Sequence, residues 1–126
     1  MVDGQCMRVY EDWETWLEAN VYCQSVNGQL ARNINSVRNN WISDQSSKQI
    51  WFGASDTEAE GQWKDSSGVV QTYSNWRSGQ PDNGFNDRHK PNQDCAFSNY
   101  KEKGYWADGE CGNTLTRYYF VCEKGD

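Results

Sequence analysis

Three short clusters in the second half of the chain set oxygen-bearing side chains beside a stiff or anchoring residue. They are Gln80-Pro81-Asp82, Gln93-Asp94-Cys95 and Trp106-Ala107-Asp108, the last followed by Cys111. Loops pinned at several points and carrying carboxylates and amides suit Ca²⁺, which takes roughly six to eight oxygen ligands. A proline between two polar residues is able to adopt the cis form, which would turn the Gln80 and Asp82 carbonyl groups the same way. Other chemistry is poorly provided for. His89 is the only histidine, and no cysteine has a reactive setting. General-base and covalent catalysis therefore have little to work with, and the chain does not read as an enzyme.

Positioning such clusters needs cross-links and a core. The cysteines are Cys6, Cys23, Cys95, Cys111 and Cys122, an odd number, with no C-x-x-C pair. A structural zinc site needs four Cys/His ligands in short paired spacings, so zinc is disfavoured. A disulfide framework in a secreted domain fits better, with several pairings open on spacing alone. A Cys23–Cys122 bridge would close nearly the whole chain, and a Cys95–Cys111 bridge a short loop. In the chain-entropy model these would contribute roughly 4–5 and 3 kcal/mol. Cys6 is then left over, which in an oxidising compartment suggests a bridge to another chain.

The regular elements are few. Residues 14–27 read as a first helix, with Trp16, Ala19 and Cys23 on one face and Gly28 as a stop. Residues 35–49 read as a second, capped by Ser36, with a sparse apolar face of Val37, Trp41 and Ile42. Residues 50–53 and 116–122 have strand composition. In the latter, alternation would put one of Tyr118 and Tyr119 in the core and the other on the surface. Trp51, Trp63, Trp76 and Trp106 are expected in the core. Between about Gln80 and Tyr100 the chain looks irregular, and a long ordered loop of that kind is usually functional. The expectation is an α+β domain spanning residues 1–126, with two helices, short antiparallel strands and a long loop region.

Composition narrows the function further. The 126 residues carry 18 Asp+Glu against 12 Lys+Arg, a net charge of -6. That is a poor partner for nucleic acid, whose phosphates demand a basic face. No apolar stretch approaches the roughly 20 residues of a membrane span. Mean hydropathy is low, at -1.02, yet 18 aromatic residues are enough for a core. The N-terminal residues Met1 to Gln5 are polar and do not read as a signal peptide, so the cysteines carry the expectation of secretion.

Taken in order, these segments resemble a C-type lectin domain over residues 6–123. Trp51-Phe52-Gly53-Ala54 is similar to the family's core strand, and Tyr73-Ser74-Asn75-Trp76 leads into the Gln-Pro-Asp tripeptide as it does there. Trp106-x-Asp108-x-x-Cys111 resembles the family's W-N-D-x-x-C segment, and Val121-Cys122-Glu123 its closing strand. The resemblance implies the pairing Cys23–Cys122 and Cys95–Cys111. Cys6 then matches the second half of an N-terminal disulfide whose first half is missing. It also implies one site shared by Ca²⁺ and two sugar hydroxyls, with Gln80, Asp82, Gln93 and Asp108 at the metal-ligand positions. Gln-Pro-Asp with a long following loop accompanies galactose-type ligands. Phe85 is then the aromatic nearest the place where a ring stacks on the sugar, and Gly84 occupies that place itself. His89 is nearest the position that favours N-acetylgalactosamine.

Two departures bear on the metal. Gln93 stands where the family has Glu, and Ala107 where it has Asn. Fewer charges and a missing ligand imply weaker Ca²⁺ binding, which leaves open both ordinary Ca²⁺-dependent sugar binding and binding partly or wholly independent of the ion. An auxiliary Ca²⁺ position is better kept, through Asp56, Glu60 and Asp94, with Asn83 as a fourth. The run Arg88-His89-Lys90 would supply a cation able to pair with Asp82 or Asp108 in place of the metal. Sugar recognition would then rest on Asp87, His89 and the Gln and Asp side chains directly. Two readings stay open: a secreted lectin for galactose, N-acetylgalactosamine (GalNAc) or N-acetylglucosamine (GlcNAc) glycans, dimeric through Cys6 and serving glycan cross-linking or innate recognition of microbes, or a protein-binding module on the same fold.

Overall fold

The computed structural model describes residue 2 and residues 4–59, 61–80 and 95–124. In chain order the elements are β1 (Cys6–Glu14), α1 (Trp16–Ser25), β2 (Gln29–Leu30), α2 (Ser36–Asp44), β3 (Ile50–Ser55), β4 (Lys64–Asp65), β5 (Cys95–Ser98), β6 (Ala107–Gly109) and β7 (Tyr118–Lys124). The strands form one sheet in the order β1-β7-β3-β5-β6, with β2 beside β7 and β4 beside β3. Pairing is antiparallel except between β3 and β7, which run parallel, so the sheet is mixed where an antiparallel one was expected.

Both helices are shorter than their sequence pattern predicts. Helix α1 starts after Thr15, which is buried and closes a capping box with Glu18. Its hydroxyl accepts from the Glu18 N–H at 3.1 Å, and its own N–H donates to the Glu18 carboxylate at 2.9 Å. Ala19 and Cys23 form the buried face, as expected, while Trp16 is half-buried. Helix α2 is capped by Asn35, not Ser36, through its side chain on the Arg38 N–H at 2.9 Å. It ends at Asp44 because the next carbonyls are taken elsewhere: the Asn99 amide donates to Ser46 O at 2.8 Å and Lys48 O at 3.0 Å. Its buried face is Arg38, Asn39, Ile42 and Ser43, while Val37 stays 60% exposed.

Hydrophobic groups pack on both faces of the sheet. On one face Trp51, Phe97 and Phe120 pack with Ala19, Leu30 and the disulfide cysteines. On the other, Ile50, Phe52, Trp63, Trp106 and Val121 pack together. Strand residues alternate between the faces. Since both are covered, Tyr118 joins one cluster and Tyr119 the other, and both are half-buried instead of one core and one surface. Trp51, Trp63 and Trp106 are buried as expected, and Trp76 is half-buried. Cys95–Ser98 lies in the stretch expected to be irregular, yet all four residues are buried strand. Disulfides join Cys23 to Cys122 and Cys95 to Cys111. Cys6 is exposed and has no intrachain disulfide.

A buried ionic cluster ties the closing strand to the segment before α2. Glu123 and Arg38 are 2% and 1% exposed. Arg32 donates to the Glu123 carboxylate from Nε at 2.8 Å, from Nη2 at 3.1 Å and from its backbone at 2.7 Å, and Arg38 Nη1 adds a contact at 3.2 Å. Burial opposes ionisation of Glu123. The Arg32 hydrogen bonds and the two guanidinium charges outweigh it and hold the carboxyl below its ordinary value.

Candidate functional site

A stack of rings carries the site. Trp106 is fully buried, its indole N–H donating to Asn39 Oδ1 at 2.8 Å. Trp76 lies edge-on to it at 5.5 Å, and Trp63 packs on Trp76 at 4.8 Å. Backbone bonds lock the two segments together, Trp106 N to Asn75 O at 3.0 Å and Arg77 N to Trp106 O at 2.9 Å. Gln80 follows a turn closed by its own N–H on Arg77 O at 2.8 Å, through Gly79 at φ +89°. A side chain at that positive φ would be strained, which glycine avoids. The ring stack thus delivers Gln80 to the edge where β6 carries Ala107 and Asp108.

Gln80, Ala107 and Asp108 line one cavity of about 270 Å³, together with Tyr100, Glu110 and Tyr118. Asp108 is 4% exposed. Two of the residues expected at the sugar site, Gln80 and Asp108, are therefore brought together. The others expected there, Asp82, Phe85, Asp87, His89 and Gln93, lie outside the described residues, as do Glu60, Asp94, Pro81, Asn83, Arg88 and Lys90. Asp56 is 3% exposed and accepts from the Gly61 N–H at 2.8 Å, so it is built into a turn and is not a surface charge. It does not line the cavity.

Among the described residues no group of three or more His, Cys, Asp or Glu side chains could hold a metal ion. At β6 the methyl of Ala107 supplies no oxygen where the resemblance implies an amide ligand. The described part of this site therefore fits a tight Ca²⁺ shell poorly.

Sequence reasoning missed Tyr100, Glu110, Asn113 and Tyr118, which also line the cavity. Glu110 is fixed by the Asn113 amide at 2.5 Å, and Asn113 Oδ1 accepts from the Leu115 N–H at 2.8 Å. Burial and the neighbouring Tyr100 push the Tyr118 phenol above its ordinary value, so it remains a protonated donor. Nothing in the sequence joins the four, which run from Tyr100 to Tyr118 and meet only at the edge of the folded sheet.

The family model "Lectin C-type domain" matches residues 12–124. Asialoglycoprotein receptor 2 of Mus musculus is 32% identical over 122 residues, 96% of this chain and 39% of that protein. C-type lectin domain family 10 member A of Homo sapiens is 31% identical over 112 residues, 88% of this chain and 34% of that protein. The chain thus spans under two-fifths of the length of these curated relatives. Among solved structures, the human scavenger receptor C-type lectin carbohydrate-recognition domain superposes with a TM-score of 0.87 at 30% identity, covering 100% of this chain and 95% of that one. Its mouse counterpart gives 0.85 at 30% identity, covering 99% and 93%.

Proposed function

The chain belongs to the C-type lectin domain family, whose members are non-enzymatic carbohydrate-binding modules, and from that premise we propose that it is a secreted lectin for galactose-type or N-acetylated sugars. The observation that carries this reading is the meeting of Gln80 and Asp108 at one cavity. An amide and a carboxylate side by side offer both a donor and acceptors, which is what adjacent sugar hydroxyls require. Asp82, Phe85, Asp87, His89 and Gln93 complete the site in this reading. The Gln-Pro-Asp order supports the galactose type, and a relative named for asialoglycoproteins is in keeping with it.

Ca²⁺ contributes weakly or not at all to this binding. Ala107 and Gln93 remove one oxygen ligand and one charge from the shell, and the sugar is held by direct hydrogen bonds. Asp56, with Glu60 and Asp94, keeps an auxiliary position for the ion. Haemagglutination and a glycan array, each with and without a calcium chelator, test the proposal. Binding to galactose, GalNAc or GlcNAc glycans is expected to survive chelation. Abolition by the chelator would overturn the calcium-independent part.

Single lectin sites bind monosaccharides at about the millimolar level, and linking two raises avidity through effective concentration. The exposed Cys6 serves that end as an interchain disulfide. Non-reducing electrophoresis is expected to show a band at twice the reduced mass, lost in Cys6→Ser. A monomer band from the native protein would remove the idea. The altered ligands Gln93 and Ala107 favour a second reading, a protein-binding module. An array empty at millimolar Ca²⁺ would select it.

A further inference from the structure

The cavity beside Gln80 and Asp108 extends well past the two of them. Its lining continues along Glu110, Asn113 and Tyr118, with the rings of Phe97 and Tyr100. Its volume, about 270 Å³, falls just below the roughly 300–1,000 Å³ of sites for drug-sized ligands, so it suits one small unit.

Three features give it shape. On β6, Ala107 and Gly109 project toward the face occupied by Phe97, and neither carries a side chain beyond Cβ. At Gly109 the rings close in on the backbone, since a Cβ there would lie 3.0 Å from Trp51 Cη2 and 3.3 Å from Phe97 Cε1. Tyr118 is held against Phe97 at 4.5 Å and Trp51 at 4.9 Å, so its position is set by core packing. Glu110 is oriented by Asn113. The groups around the space are thus fixed before any ligand arrives, which lowers the ordering cost of binding.

The chemistry of the lining selects a ligand class. Asp108 and Glu110 accept hydrogen bonds, the Gln80 and Asn113 amides and the tyrosine phenols donate them, and Phe97 adds an apolar ring face. Among the described residues no lysine, arginine or histidine lines the cavity. An uncharged polyhydroxy compound suits that mixture, and an acidic sugar meets the Glu110 carboxylate, whose hydrogen bond from Asn113 leaves its charge in place.

We infer that Tyr118, Glu110 and Asn113, with Tyr100, form a second, metal-free wall of the saccharide site, taking one uncharged sugar unit into the space left open beside Ala107. The inference rests on the sugar-binding reading and names residues that neither the sequence motif nor the shared calcium site includes. Glu110 makes the wall discriminate, because it accepts hydroxyl protons and repels carboxylates.

Calorimetric titration with GalNAc and with galacturonate tests the wall, using the full chain with chelator present. Tyr118→Phe keeps the ring packing and removes one donor, and is expected to weaken GalNAc binding about fivefold, the scale of one neutral hydrogen bond. Glu110→Gln is expected to weaken GalNAc by a similar factor and to strengthen galacturonate at least about threefold, by removing a like charge. Ala107→Leu fills the space and is expected to abolish GalNAc binding, and unchanged thermal unfolding would show that it folds. If the native chain binds GalNAc and both Tyr118→Phe and Glu110→Gln stay within twofold of it, the wall is refuted while the sugar reading stands. If the native chain binds no sugar with or without Ca²⁺, the sugar reading itself fails and the wall with it.

Discussion

Ala107 is the residue at which this site departs furthest from the metal-centred arrangement its family resemblance implies. A methyl group there withholds one oxygen ligand and leaves a space where an amide would reach. The paired change Ala107→Asn and Gln93→Glu adds both a ligand and a charge at the implied calcium position. It is expected to raise Ca²⁺ affinity at least tenfold, read by calorimetry, and to make sugar binding sensitive to a chelator. Ala107→Asn alone is expected to give a smaller gain, since the charge deficit remains. The same substitution narrows the cavity, so sugar affinity in the absence of Ca²⁺ should fall. That opposite movement, up for metal and down for metal-free sugar, separates a role in the site from a general loss of folding.

At the scale of elements, the capping box of α1 shows how local sequence fixes a boundary. Thr15→Ala removes the hydroxyl that satisfies the Glu18 N–H and is expected to cost about 1 kcal/mol, or about 4 °C in Tm by calorimetry. The Thr15 N–H is also the main reason the Glu18 carboxyl sits below its ordinary value. The box was present in the sequence as Thr15-x-x-Glu18, and the buried positions Ala19 and Cys23 were legible from helical spacing. The end of α2 was not, because it is set by Asn99, 55 positions after Asp44 and reached only through tertiary contact. The buried face of α2 misled for a related reason. Arg38 reads as a solvated charge until Glu123 is brought to it from the other end of the chain. Strand β1 was missed because Glu11, Asp12 and Glu14 disguise an edge strand, where exposed charge is tolerated. In the site, Gln80 and Asp108 were legible from motif order. Tyr100, Glu110, Asn113 and Tyr118 were not, because only the sheet edge gathers them.

Across the whole molecule, the Arg32–Glu123–Arg38 cluster links the closing strand to the segment leading into α2, alongside the Cys23–Cys122 bridge. Glu123→Gln removes the buried negative charge that both guanidinium groups share and is expected to cost about 3–5 kcal/mol. The pH dependence follows from the depressed carboxyl. Its contribution to stability is present above the unfolded-state value near 4.5 and is lost as pH falls through the lower folded value. Thermal melts of the native chain are therefore expected to drop steeply below about pH 4.5, and the Glu123→Gln variant to lose that part of the slope. Strand order has a consequence of another kind. Cys6 opens β1 at one edge of the sheet, and the cavity lies at β6, the opposite edge. Five strands lie along that path, so the sheet is about 20 Å wide at about 4.8 Å between neighbours. Two copies joined at Cys6 would hold their cavities at opposite ends of a body roughly 40 Å across. Such a molecule reaches outward in two directions. It would tether one glycan-coated surface to another, and would gain little on a single short branched glycan whose ends lie closer than that span.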